Sequence, residues 1–164
     1  MRNYVLLIVM LIAGTASAQQ LDLKSLDKFA EKAKSKTEIN MDESMLKAAS
    51  TSLRENEKDE KIAKKSIEGL KGFFLRVYEF DEPFELKLDD LKPLVDQLKD
   101  PNWKPLLRSK EEKEQTEIWL HYTNGMADGM VLIAAESHEL TVINGVGVTN
   151  LSDLKALGKM SPLK

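Results

Sequence analysis

Leu23, Leu26, Phe29, Ala30 and Ala33 recur at spacings of three and four, which places them on one stripe of a helix over roughly 21–34. A short β-prone stretch at 37–41 follows. Asp42 is then placed to cap a second helix over 43–53, with Met41 and Leu46 spaced as a hydrophobic staple and Met45, Leu46, Ala49 and Leu53 as its buried stripe. The polar run 54–59 reads as a connection. Ile62, Ser66, Ile67 and Leu70 mark a third helix that stops at Gly69 or Gly72.

Residues 73–80 carry the strongest strand signal, being short and rich in aromatic and β-branched side chains. Alternation sends Phe73, Leu75 and Val77 to one side and Phe74, Arg76, Tyr78 and Phe80 to the other. Leu91, Leu94, Val95 and Leu98 define a short helix with Pro93 in its first turn, closed by Asp100-Pro101. Four strand-like runs come next, at 103–109, 116–123, 129–135 and 140–148, forming an antiparallel meander. Asn124-Gly125 is a preferred hairpin turn, although Asp128-Gly129 competes with it and leaves the register open. Leu151, Leu154 and Leu157 read as a last short helix stopped by Gly158. The pattern predicts a two-layer α+β domain, a mainly antiparallel sheet with helices packed on one face. Strand order stays open.

The first eighteen residues change the picture of where this domain works. Arg2, an apolar stretch over 4–13 and the small residues Ala16-Ser17-Ala18 have the layout of a cleavable secretory signal peptide, cut between Ala18 and Gln19. Gly14-Thr15 interrupts the apolar run far short of the roughly 20 residues a membrane span needs. The expected product is an exported chain, periplasmic or extracellular, with no membrane span and one domain over 19–164. The sequence has no cysteine, which excludes thiol chemistry and cysteine metal sites, and a core of this size needs no disulfide. The formal charge of −3 becomes −4 once Arg2 is removed, and opposite charges are interleaved. Neither nucleic acid nor an anionic membrane is favoured as a partner.

Several stretches together resemble an uncharacterised bacterial envelope family, domain of unknown function (DUF) 4252. They are Leu21-Asp22-Leu23 with Leu26-Asp27-Lys28, Met41-Asp42-Glu43-Ser44-Met45-Leu46, Gly69-Leu70-Lys71-Gly72-Phe73, and Val77-Tyr78-Glu79-Phe80-Asp81. Ile133-Ala134-Ala135-Glu136, Glu139-Leu140-Thr141-Val142 and 151–158 extend the resemblance across 20–158. It implies a small exported bacterial protein linked to envelope regulation, and it brings no functional residues with it.

Candidate chemistry is sparse. A two-residue turn at Asn124-Gly125 would set His121 across from Asp128 and Trp119 across from Met130. A histidine oriented by a carboxylate is half of a general-base arrangement or of a metal site, and Glu117 is the nearest further acid. His138 reads as a solvated turn residue. No nucleophile elbow, calcium loop or phosphate cradle is present, and no cofactor is expected. The stronger lead is a surface: Phe74, Arg76, Tyr78 and Phe80 share one strand face, and Glu117, Trp119 and His121 share another. If both strands leave the same side open, aromatic and arginine side chains gather into a binding patch. If helices cover that side, the aromatics are core. The leading expectation is a non-enzymatic exported protein that binds an envelope protein, as a sensor or accessory factor. The alternatives are a hydrolase or metal-dependent enzyme centred on His121, and a small-molecule or lipid carrier, which would need an apolar cavity between helices and sheet.

Overall fold

The computed structural model describes residues 20–54, 58–83 and 88–147. The expected leader with its Ala18-Gln19 junction, and the leucine-spaced segment after Gly147, lie outside them. Six strands form one antiparallel sheet: β1 (Ser35–Asp42), β2 (Leu70–Glu79), β3 (Trp103–Lys110), β4 (Gln115–Thr123), β5 (Met126–Ala135) and β6 (Glu139–Gly147). Their order across the sheet is β1-β2-β6-β5-β4-β3. The C-terminal meander is therefore as the alternation predicts, and the β1–β2 pair is laid against its last strand.

Among the described residues three α-helices accompany the sheet: α1 (Glu43–Ser52), α2 (Lys58–Ile67) and α3 (Lys92–Gln97). Asp42 caps α1 as expected, its carboxylate accepting the Met45 N–H at 2.9 Å. Of the stripe read from the sequence only Leu46 is buried, and Met45 stands half exposed. α1 lies against β1 and β2, and α2 ends before Gly69, whose φ of +93° turns the chain into β2. Pro93 occupies the first turn of α3, where its missing N–H costs no helix bond.

The long first helix is not formed. Residues 24–29 make one 3-10 helix and β1 begins at Ser35. The apolar stripe nonetheless turns to the core: Leu23, Leu26 and Phe29 are buried and Ala30 and Ala33 partly so, with Leu21 buried beside them. This strap is tied down by Asn144, whose Oδ1 accepts the Leu21 N–H at 2.9 Å, and by Gln97, whose Oε1 accepts the Asp22 N–H at 2.8 Å.

The strap, together with Leu91, Leu94 and Leu98 from around α3, covers one face of the sheet. Against it pack Tyr78 and Phe80, Leu140 and Val142, Val131, Ile133 and Ala135, and Trp119 and Trp103. This is the main core. The outer strands carry devices that discourage edge pairing: β1 is studded with Lys36 and Glu38, and β3 has Pro105 beside a bulge between Pro105 and Leu107.

Candidate functional site

The two strand faces expected to form a binding patch do look the same way, but that way is inward. Tyr78 is fully buried, Phe80 and Trp119 are buried, and Phe74 is half-buried against the same cluster. The physical reason is the strap: its four apolar side chains need a surface, and the aromatic face of β2, β6, β5 and β4 supplies it. The expected open patch of Phe74, Arg76, Tyr78, Phe80 and Trp119 is thus corrected to core, with Phe74 and Arg76 lining one accessible cleft and Phe80 the edge of another.

His121 is also on this face and is 2% exposed. Its Nδ1 lies 2.7 Å from Asp128 Oδ1, and its ring meets Trp103 edge-on at 5.1 Å between centroids. The contact with Asp128 was expected; the register that makes it was not. The turn is at Asn124-Gly125, with φ of 52° and 79°, and Thr123 pairs with Met126. A bulge then makes Asp128 the extra residue between Ala127 and Gly129, so His121 pairs with Gly129 and Trp119 with Val131. The bulge turns the Asp128 carboxylate onto the imidazole. Nε2 is buried without a hydrogen-bond partner.

Glu117 does not complete a site with this pair. It is four residues along β4 from His121, about 13 Å at strand spacing. Its oxygens accept from Trp119 Nε1 and Gln115 Nε2, each at 2.9 Å. Arg108, its cross-strand partner, lies 3.8 Å away and places its guanidinium 4.5 Å over the Trp119 ring. These residues close the β3–β4 flank of the core rather than converge on an imidazole. Among the described residues no cluster of three histidine, cysteine or acidic side chains could hold a metal ion. His138 is exposed at the β5–β6 link, with Nδ1 at 3.1 Å from the Phe80 carbonyl.

The mirror arrangement stands at the other flank. Arg76 pairs in register with Glu38, with Nη2 2.8 Å from Oε1, and its Nη1 donates to Asn40 Oδ1 at 2.9 Å and to the Leu75 carbonyl at 2.8 Å. Asn40 Nδ2 donates to Glu38 Oε1 at 3.0 Å. Hydrogen bonds from Asn40 and Lys36 lower the Glu38 pKa, with the nearby Arg76 charge adding to the effect. A cleft of about 550 Å³ opens between these residues and the strap. The sequence reading missed Glu38 and Asn40 because nothing in a short isolated strand says which neighbour it will meet.

Further apart, at the end of the sheet, Glu136 has a raised pKa: burial is the largest cause, and Glu139 and Glu114 add repulsion.

The face opposite the main core has a different chemistry. Register pairs align Ile39, Leu75, Ile143, Leu132, Ile118 and Leu107 in one row across all six strands. The next row holds Thr37, Val77, Thr141, Ala134, Thr116 and Ser109. Neither row contains a charged side chain. Ile39 is 36% and Leu107 45% exposed, and the four residues between them are half-buried.

The chain belongs to the family described as Domain of unknown function (DUF4252), whose model matches residues 29–157. The strap residues 20–28 precede that match, although Leu21, Leu23 and Leu26 fill the core. A search of curated proteins finds no match to the chain.

Proposed function

We propose that this DUF4252 protein is an exported, non-enzymatic component of a bacterial cell envelope that acts by binding another envelope protein, as a sensor or accessory factor. The observation that carries the reading is the uncharged aliphatic row from Ile39 to Leu107. A sheet face in water normally carries polar or charged side chains, the apolar ones alternating to the packed face. A six-strand row without one charge, exposed at both ends, has the composition of a protein contact rather than of a solvated face. The signal-like layout of residues 1–18 supports the export part of this reading, and the envelope setting is part of the proposal itself.

A photo-crosslinking residue introduced at Leu107 or Ile39, compared with one at Lys113, tests this in the producing cell. The expected result is a discrete protein adduct from the two row positions, lost when the other row end is changed to glutamate, and none from Lys113. Identical adducts from all three positions would refute a docking face, and adducts of the chain with itself would replace the partner by a second copy. Mass analysis of the exported product checks the compartment: a chain starting at Gln19 is expected, and an intact Met1 start in the cytoplasm would remove the premise.

A further inference from the structure

The cleft between the strap and the β1–β2 flank lies on the opposite side of the sheet from the proposed protein contact, and its chemistry is of another kind. One wall is the half-buried Phe74 ring, which lies over Gly72; a Cβ placed on that glycine would come within 3.0 Å of Phe74 Cε2. The floor is the closed triangle of Arg76, Glu38 and Asn40, in which each side chain is hydrogen-bonded or ion-paired to the other two. The Arg76 side chain is 11% exposed, and its Nε–H is buried without an acceptor.

Three physical consequences follow. The planar guanidinium, amide and carboxylate are held in fixed orientations by one another, so a ligand that bonds to them meets groups already ordered. The charges balance locally: Glu38 and Asp27 are held by Arg76 and Lys36, and one further base, Lys24, and one further acid, Asp22, line the cleft. An ionic ligand therefore gains little, whereas a neutral molecule with many hydroxyls finds both donors and acceptors. The half-buried Phe74 ring adds an apolar surface beside that polar network, and a volume of about 550 Å³ admits a ligand of one to three sugar rings. We infer that this cleft is a binding site for a neutral saccharide, whose ring C–H face lies on Phe74 and whose hydroxyls bond to Asn40, Glu38 and Arg76.

Amide chemical-shift titration of the purified chain tests this, with chitotetraose, cellotetraose and maltotetraose as probes at millimolar concentration. Saturable shifts confined to the amides around Leu23, Asn40, Phe74 and Arg76 are expected with at least one of the three. Asn40→Ala should weaken that binding by about tenfold, the loss of one or two hydrogen bonds. Because Asn40 is exposed, this variant should keep its thermal midpoint within about 2 °C. Phe74→Leu, which keeps an apolar side chain in the wall, should weaken binding as well. The inference is overturned if none of the probes gives saturable shifts, if the shifts map elsewhere, if Asn40→Ala leaves them unchanged, or if inorganic phosphate produces the same shifts.

Discussion

Replacing His121 by alanine separates a structural clamp from a catalytic group. The imidazole is 2% exposed, packed edge-on to Trp103, and joined to Asp128 at 2.7 Å. Truncating a buried ring of this size opens a cavity in the manner of large-to-small core changes, which cost about 2–5 kcal/mol. It also strips Asp128 of its imidazole. The Asp128 side chain is 17% exposed and regains some water, so the lower half of that range applies, about 3 kcal/mol. For a chain of this length that corresponds to a fall in Tm of roughly 6–12 °C. A double-mutant cycle with Asp128→Ala, read by urea denaturation, should return a coupling of about 1–2 kcal/mol, the share belonging to the hydrogen bond. A loss under about 1 kcal/mol, or a coupling indistinguishable from zero, would refute the clamp. Loss of a cellular phenotype with undiminished stability would instead point to chemistry at Nε2.

Four further outcomes follow from particular contacts. Asn144→Ala removes the acceptor of the buried Leu21 N–H and the donor to the Met130 carbonyl, so stability should fall by about 2 kcal/mol; limited proteolysis should then cut the strap at Lys24 or Lys28 several times faster. Tyr78→Phe deletes a fully buried hydroxyl that has no partner, and should be neutral or stabilising by up to about 1 kcal/mol in urea denaturation. Burial raises the Tyr78 pKa, so stability tied to the protonated phenol is present below about pH 10 and lost as pH climbs through the folded value; Tyr78→Phe should abolish that alkaline loss in Tm measured against pH. Glu136, raised by burial and by Glu139 and Glu114, contributes stability below about pH 4.3 that is lost as pH rises through its folded value, so Glu136→Gln should raise Tm at pH 7 and leave it unchanged at pH 3. Gly147→Ala would drive a Cβ into the Gly69 carbonyl at a φ of +118°, and should cost more than about 2 kcal/mol by the same denaturation assay.

Local signals in the sequence were sufficient wherever one residue type does one job. Asp42 caps α1, Pro93 sits in the first turn of α3, and Asn124-Gly125 turns β4 into β5. The last four strands fall within a few residues of their expected bounds, because alternation and turn chemistry agree there. The failures share a cause. The stripe from Leu23 to Ala33 has helical spacing, yet only six residues around it coil, as a 3-10 helix; the sheet face, not helix propensity, decides how those side chains are buried. Asp128 reaches His121 through a bulge that shifts the pairing by one residue, and no dipeptide announces a bulge. Phe74 and Tyr78 share one face of β2 and Trp119 and His121 one face of β4, as alternation predicts, but alternation says which residues of a strand share a side and is silent on which side is covered.

That last point governs the functional reading, because the charges on the covered face are not scattered. One row across the sheet runs Glu38, Arg76, Val142, Ile133, Glu117, Arg108. Opposite charges meet in cross-strand pairs on the two outer strand pairs, and aliphatic side chains fill the middle. A core built this way is closed at both flanks by paired opposite charges, with Arg108 lying over Trp119 on one side and Arg76 beside Phe74 on the other. The opposite face has no such rim, since its corresponding row is aliphatic from Ile39 to Leu107. Substituting a row end, such as Leu107→Glu, should therefore alter association while leaving the sealed core and its melting temperature nearly unchanged. Charge reversal at Glu117 should do the converse, lowering Tm through Arg108 and Trp119 without touching the row. If both substitutions moved association and stability together, the sheet would not present two independent surfaces, and neither binding assignment would stand.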